Sequence, residues 1–590
     1  MENNKWDLTY IFKTDELWNE SFDEAKELIK DIKKYEGKIT KSLEGFKEFL
    51  KEKEIIDLKV EKLYMYAHLN HDVDTSVSKY QEMFSKIQSL YAKYYEYCSF
   101  IVTEMKDNKD KIEEYLKDDE LKEYRQHFKE VFLRFSHVLS EKEEKILASF
   151  SEISQAPYNI FTSLNDTDIT FKDVMGENLN DKNFTVFLES KDREKRRIAY
   201  ENLYEGYKQF SNTYANILST NVKMNNLNAK LLKYDSARQQ SMLQDNIDEK
   251  VYDNLVETVN KNLYRLHEYM EYRKNILGLD KLNMYDLYVS TAKNFDVSYT
   301  IEEAKEIMFE ALKPLGQDYL NILKKCFDEH WIDFTVNDNK MGGAYSSGGY
   351  ETKPYILMTW KDNLSSLFTL AHEIGHSIHS YYSRHNQTYI NSSYKLFLAE
   401  IASTTNENLL TNYLLEKYKD NKEALICILN DHLDGYKGTV FRQTQFAEFE
   451  QEIHKLDKNG EALTAKRLCD SYKKINEKYY GNNVITDDMI SYEWARIPHF
   501  YYFFYVYQYA TGFSCAVYFA NSILNGGKEA VERYINYLKA GCSKFPLEIL
   551  KDAGVDILNG TVINKALEEF SNKLEVLKTL WYYVIMNKKN

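Results

Sequence analysis

The 590-residue chain sets 77 Lys+Arg against 92 Asp+Glu, a formal net charge of −15, and holds only 5 prolines and 21 glycines. So little turn-forming material beside abundant Leu, Lys and Glu excludes an all-β design and predicts a mostly α fold. The acidic balance, with no Lys/Arg tract or basic arm, argues against nucleic acid or an anionic membrane as partner.

In chain order, the opening MENNKWDLTY lacks the basic and apolar regions of a signal peptide, so export is not expected. Residues 1 to about 190 read as a run of helices, among them 15–34, 39–53 and 78–107, with solvated Lys/Glu faces. Ser140-Glu141-Lys142-Glu143 has capping-box spacing and should open a helix through Phe150. The polar stretch 165–180 is the expected boundary between residues 1–190 and 191–590. Helical patterning then resumes, ending in a helix over 301–326. At Trp331 the character changes: WIDFTV and YILMTW have strand composition and enclose the glycine-rich MGGAYSSGGY. No G-K-[ST] follows, so this is a hairpin tip and not a phosphate cradle. Strand 355–359 is expected at a sheet edge, where an extended peptide could pair with it. The six cysteines, Cys98, Cys326, Cys427, Cys469, Cys515 and Cys542, are scattered without a C-x-x-C pair, which reads as reduced thiols in a cytoplasmic protein.

The stretch 369–379, TLAHEIGHSIH, contains H-E-x-x-H. A chain of this composition would hold about 0.04 pentapeptides of the form H-[DE]-x-x-H by chance, so the pattern calls for a chemical explanation. On a helix, His372 and His376 project from one face as a two-histidine metal clamp, and Glu373 can take a proton from a water beside the ion. Leu364, Leu367, Phe368, Ala371, Ile374 and Ile378 make a separate apolar stripe, and Asp362 or Asn363 supplies the N-cap. A catalytic zinc needs a third protein ligand. A histidine six residues past His376 would give the three-histidine zincin type, but Tyr382 stands there. Glu400 and Glu407, seven apart on one helical face, offer the alternative: Glu400 as ligand and Glu407 as acceptor for a ligand histidine's other N–H. His379 competes as a ligand, yet three histidines on a straight helix do not share a focus; like His385, His432 and His454, it is read as structural. The charge-free run 497–527 is long enough to cross a bilayer, but its hydroxyls and amides suit a buried helix with one polar face.

With H-E-I-G-H at 372–376, E-I-A-S-T-T-N-E at 400–407 and R-I-P-H-F-Y-Y at 496–502, the chain resembles the oligoendopeptidase F group of the thimet oligopeptidase and neurolysin family. WDLTYIF at 6–12 and YAHLNHDVDT at 66–75 extend the likeness over nearly the whole chain. The resemblance implies a mostly α, two-lobed helical metallopeptidase with a deep central channel and a small β element beside the active-site helix. It also implies one Zn2+ per chain, and a channel that admits short unfolded oligopeptides but not folded proteins. The 1–190 segment would be an N-terminal lobe and 191–590 the catalytic domain. In that family a histidine and tyrosines from a C-terminal segment stabilise the oxyanion. Carried over, these are His499 and, among the tyrosines, Tyr502, Tyr505 and Tyr509, whose three- and four-residue steps would place them on one helical face. The G-Y-D of the thimet branch does not follow His499 here.

The expected function is zinc-dependent cleavage of internal bonds in short peptides, with His372, His376 and Glu400 as ligands and Glu373 as general base. The protein would act in the cytoplasm as a monomer or small homo-oligomer. A helical zinc carboxypeptidase on the same framework is the nearer alternative. A catalytically silent peptide-binding protein is the other, and it predicts a missing ligand or base, whereas all are present.

Overall fold

The computed structural model describes residues 4–292 and 297–589. It is 72% helical, and its strands among the described residues are short: β1 (Leu282–Asn283), β2 (Ile332–Asp333), β3 (Tyr345–Ser347), β4 (Tyr355–Leu357) and β5 (Val484–Ile485). Two compact units form, each from separated stretches of chain: Met1–Ser136, Val297–Tyr413 and Phe519–Val555 in the first, His137–Asp296, Leu414–Tyr518 and Asp556–Asn590 in the second. Residue 190 lies inside the second unit. The polar stretch before it forms an isolated Val174–Glu177 bridge. It is tied down where the Tyr207 hydroxyl donates to Asn165 Oδ1 at 2.7 Å and Asp181 Oδ1 at 3.1 Å, so it is a packed loop and not a linker.

Local chemistry sets the helix limits. The helix expected over 39–53 runs from Leu43 to Val73, capped by Ser42, whose Oγ accepts from Gly45 N at 3.1 Å. Its face of Phe46, Phe49, Ile56, Val60 and Leu63 stays buried over that length. The capping box at Ser140 is formed, its backbone N donating to Glu143 Oε2 at 3.0 Å. The single helix expected over 301–326 is two, Ile301–Ala311 and Gln317–Asp328, because Pro314 and then Gly316, at φ +88°, break it.

Within the first unit, β2, β4 and β3 form a sheet in that order, β4 parallel to β2 and antiparallel to β3. The sequence placed the Tyr355 strand at an edge; it is central, and β3 takes the edge. All three β4 residues are buried, as expected of an apolar strand covered on both faces. Ser346 Oγ of β3 lies 2.7 Å from Ser377 Oγ, joining the edge strand to the helix Leu364–Asn386.

The charge-free run 497–527 is also different from the buried helix expected. It begins as a 3-10 turn, Pro498–Tyr501, and becomes an α-helix only at Tyr507–Asn525. Between them Phe503 and Phe504 adopt φ of 56° and 57°, outside any helix. Among the described residues no helix is long and apolar enough to cross a membrane.

Candidate metal centre and second polar cluster

The helix Leu364–Asn386 starts where Asn363 Oδ1 accepts from Ser366 N at 2.9 Å, so Asn363 is the N-cap. Leu367, Ala371, Ile374 and Ile378 are fully buried, which fixes the roll of the helix and leaves His372 and His376 on a half-buried face. The following helix, Leu396–Lys417, brings Glu400 to the same point. Its first turn is held by the Tyr537 hydroxyl, which donates to Leu398 O at 2.7 Å.

Nε2 of His372 and Nε2 of His376 are 3.2 Å apart. Glu400 Oε2 lies 3.4 Å from the first and 3.6 Å from the second. Four donors at about 2.0–2.1 Å around a tetrahedral ion are spaced about 3.3–3.4 Å from one another, so these three atoms fit one metal ion. Glu407 Oε1 accepts from His372 Nδ1–H, which commits that ring's Nε2 lone pair to the focus. Among the described residues, His372, His376 and Glu400 are the one group of three His, Cys, Asp or Glu side chains that could hold a metal.

The electrostatics of the pocket favour a cation. Burial pulls the His372 imidazole down, but its bonds to Glu400 and Glu407 outweigh this and raise it to about 10. Burial likewise raises Glu400, and His372 and His376 overcome it to hold the carboxyl well below the usual carboxylate range. The protein alone therefore draws a proton into the space between these groups, where a divalent ion would find the same field. Glu373 is buried, and its Oε2 has no hydrogen-bond partner among the described residues. Burial raises its carboxyl above the ordinary range, toward the pH at which a general base exchanges protons readily.

Two contributors escaped the sequence reading. Ser403 Oγ donates to Glu400 Oε2 at 3.0 Å, orienting the carboxylate; its position three residues along the same helix was the available signal. Gly375 is the other. A Cβ there would stand 2.6 Å from Ser403 Cα and 2.8 Å from Ala402 O, so the two ligand-bearing helices cross in direct backbone contact at this glycine. Gly375→Ala must push Leu396–Lys417 away and is expected to cost about 1–3 kcal/mol of stability while displacing Glu400. Thermal unfolding and metal content after dialysis check this; an unchanged melting temperature with full metal retention would refute the crossing argument.

His379, His385, His432 and His454 each have other partners. His379 is buried against Tyr394, ring centroids 3.8 Å apart, and burial lowers it to about 3. His385 Nδ1 pairs with Tyr381 O at 2.8 Å, His432 packs on Tyr436, and His454 Nδ1 faces Asn226 Oδ1 at 3.3 Å.

In the second unit His499, Tyr502, Tyr505 and Tyr509 gather, though not on a helical face, since Tyr502 and Tyr505 precede the helix. The Tyr509 hydroxyl is 3.4 Å from His499 Nε2. The Tyr502 ring lies 5.3 Å from His499, and Tyr505 packs edge-on to Tyr509 at 5.1 Å. Tyr502 is 42% exposed, and its hydroxyl lies 3.3 Å from that of Tyr158. Burial lowers the His499 imidazole, keeping it neutral with one N–H to donate.

Residues 186–569 match the model of peptidase family M3, and residues 105–171 match that of oligopeptidase F. The chain is 45% identical over 582 residues to oligopeptidase PepF of Bacillus subtilis, covering 98% of this chain and 87% of that protein. It is 44% identical over 586 residues to the group B oligopeptidase PepB of Streptococcus agalactiae, covering 98% and 97%. The crystal structure of oligoendopeptidase-F from Enterococcus faecium is similar with a TM-score of 0.74 at 40% identity, covering 96% of this chain and 99% of that one. The metal-fitting donor set thus lies in a chain whose sequence and fold agree with these peptidases from end to end, and the chain belongs to peptidase family M3.

Proposed function

We propose that the protein is a zinc-dependent endopeptidase that hydrolyses internal bonds of short, unfolded peptides in the cytoplasm. The observation that carries the reading is the convergence of His372 Nε2, His376 Nε2 and Glu400 Oε2, spaced 3.2–3.6 Å apart as one ion requires, beside the buried carboxylate of Glu373. Bound zinc would supply Lewis acidity and lower the pKa of water at neutral pH. Glu373 takes a proton from the attacking water and delivers it to the leaving amine. Glu407 holds His372 in the tautomer that offers Nε2, and Ser403 keeps Glu400 aimed at the same point. To His499, with Tyr502, Tyr505 and Tyr509, the family resemblance assigns the donors to the oxyanion; neutral N–H and O–H groups meet a developing negative charge without bringing a full charge of their own. The six cysteines, none in a disulfide, suit a reducing compartment.

Metal analysis of the purified protein together with mass mapping of fragments from an internally quenched peptide tests the proposal. About one zinc per chain and cuts at internal bonds are expected. Stepwise loss of C-terminal residues would make it a carboxypeptidase, and bound metal without turnover a silent peptide-binding protein.

A further inference from the structure

The segment between His499 and the helix Tyr507–Asn525 is built against backbone preference. Phe503 and Phe504 stand consecutively in the left-handed region, at φ of 56° and 57°. Each such bulky residue costs on the order of 1–3 kcal/mol unless its surroundings hold it there. The holding groups lie on four other helices of the same unit. Ser241 Oγ donates to Phe503 O at 2.7 Å, and Asn221 Nδ2 donates to Phe500 O at 3.3 Å. Glu450, on the helix Arg442–Lys458, accepts from Phe504 N at 2.7 Å through Oε1. The Phe504 ring is wedged between His454, at 4.6 Å, and Tyr252, at 5.9 Å.

Glu450 is an expensive choice for accepting a single amide. It is fully buried, has no salt-bridge partner among the described residues, and its Oε2 has no hydrogen-bond partner. A buried carboxyl without a cation offsets its desolvation only through the bond it makes, and this bond sits at the bend between His499 with Tyr502 and Tyr505 with Tyr509. We infer that Glu450 is a positioning residue, which holds the left-handed Phe503–Phe504 turn and through it sets His499, Tyr502, Tyr505 and Tyr509 as one group of hydrogen-bond donors. The inference rests on the proposed role of those donors in the peptidase reaction. Burial raises the Glu450 carboxyl to about 8, so the group is neutral at neutral pH, with Oε1 accepting as a carbonyl does. An amide side chain can do the same.

The test compares Glu450→Gln, Glu450→Leu, Ser241→Ala and His499→Ala in the full-length, metal-loaded protein, reading kcat and KM on a quenched peptide, metal content and thermal unfolding. Glu450→Leu should lower kcat at least about tenfold, with KM and metal content within about twofold of the parent, while Glu450→Gln restores kcat to within about twofold. Ser241→Ala, which removes the other clamp from a half-buried position, should lower kcat by about three- to tenfold. A folded Glu450→Leu with unchanged kcat overturns the inference, as does Glu450→Gln falling as far as Leu, since the charge and not the acceptor would then matter. If Glu450→Leu does not fold, Ser241→Ala decides, and an unchanged kcat there overturns it. Unimpaired His499→Ala removes the donor role and the inference with it; impaired His499→Ala beside unimpaired Glu450→Leu removes the inference alone.

Discussion

Glu373→Gln is expected to lower kcat by a factor of about 100 to 10,000, the usual range for a general base, with metal content and KM little changed. The exchange is isosteric, and none of the three converging ligand atoms belongs to this residue. What is lost is the ability of a buried, unpartnered oxygen to take up a proton. An amide in that position can accept a hydrogen bond from water and so leaves binding intact, but it cannot hold the proton through bond cleavage. Metal analysis and steady-state kinetics on one quenched peptide are sufficient. Near-parental kcat would remove Glu373 from the chemistry, and loss of the metal would make it a support of the site.

Glu400→Ala should weaken metal binding. Tetrahedral zinc sites release roughly 10–16 kcal/mol on binding, so one of a few protein ligands carries on the order of 3 kcal/mol, about a 100-fold change in affinity. The two histidines that remain keep their spacing, because His372 is still held by Glu407 and both ride on a helix rolled by its own buried stripe. Activity should vanish after dialysis against a chelator and return only with excess zinc, whereas the parent recovers with stoichiometric zinc. Retention of metal through dialysis would show that a different side chain completes the site.

The donor residues that converge at His372, His376 and Glu400 stood out in the sequence because their spacing within each helix is local. His372 and His376, and then Glu400 and Glu407, sit at intervals set by the helical repeat, and the apolar stripe from Leu367 to Ile378 states which face is free. Mostly α architecture was legible for the same reason. What spacing could not supply is any contact between stretches far apart in the chain. The meeting of Gly375 with Ser403, the central place of β4 and the Tyr537 bond to Leu398 are all of that kind. The tyrosine segment failed differently. Tyr502, Tyr505 and Tyr509 have helical spacing, but the bonds to Ser241 and Glu450 stabilise a left-handed bend that local propensity disfavours. Buried charge was also invisible: Glu493, 2% exposed, takes Arg442 Nη2 at 2.7 Å, and Asp286, fully buried, takes Arg193 and Arg196. In one dimension each of these residues looks like an ordinary surface charge.

The hydroxyl of Tyr537 on the Glu400 helix also bears on the timing of synthesis. A ribosome adding about 5–20 residues per second delivers Tyr537 on the order of ten seconds after Glu400. The first unit recruits Phe519–Val555 to finish its packing, and the second recruits the stretch that follows. Throughout that interval the nascent chain carries the donors for the ion without the wall that fixes their helix. The helix that carries Glu400 therefore gains its Tyr537 support, and the first unit its last stretch, only after nearly the whole chain has been made.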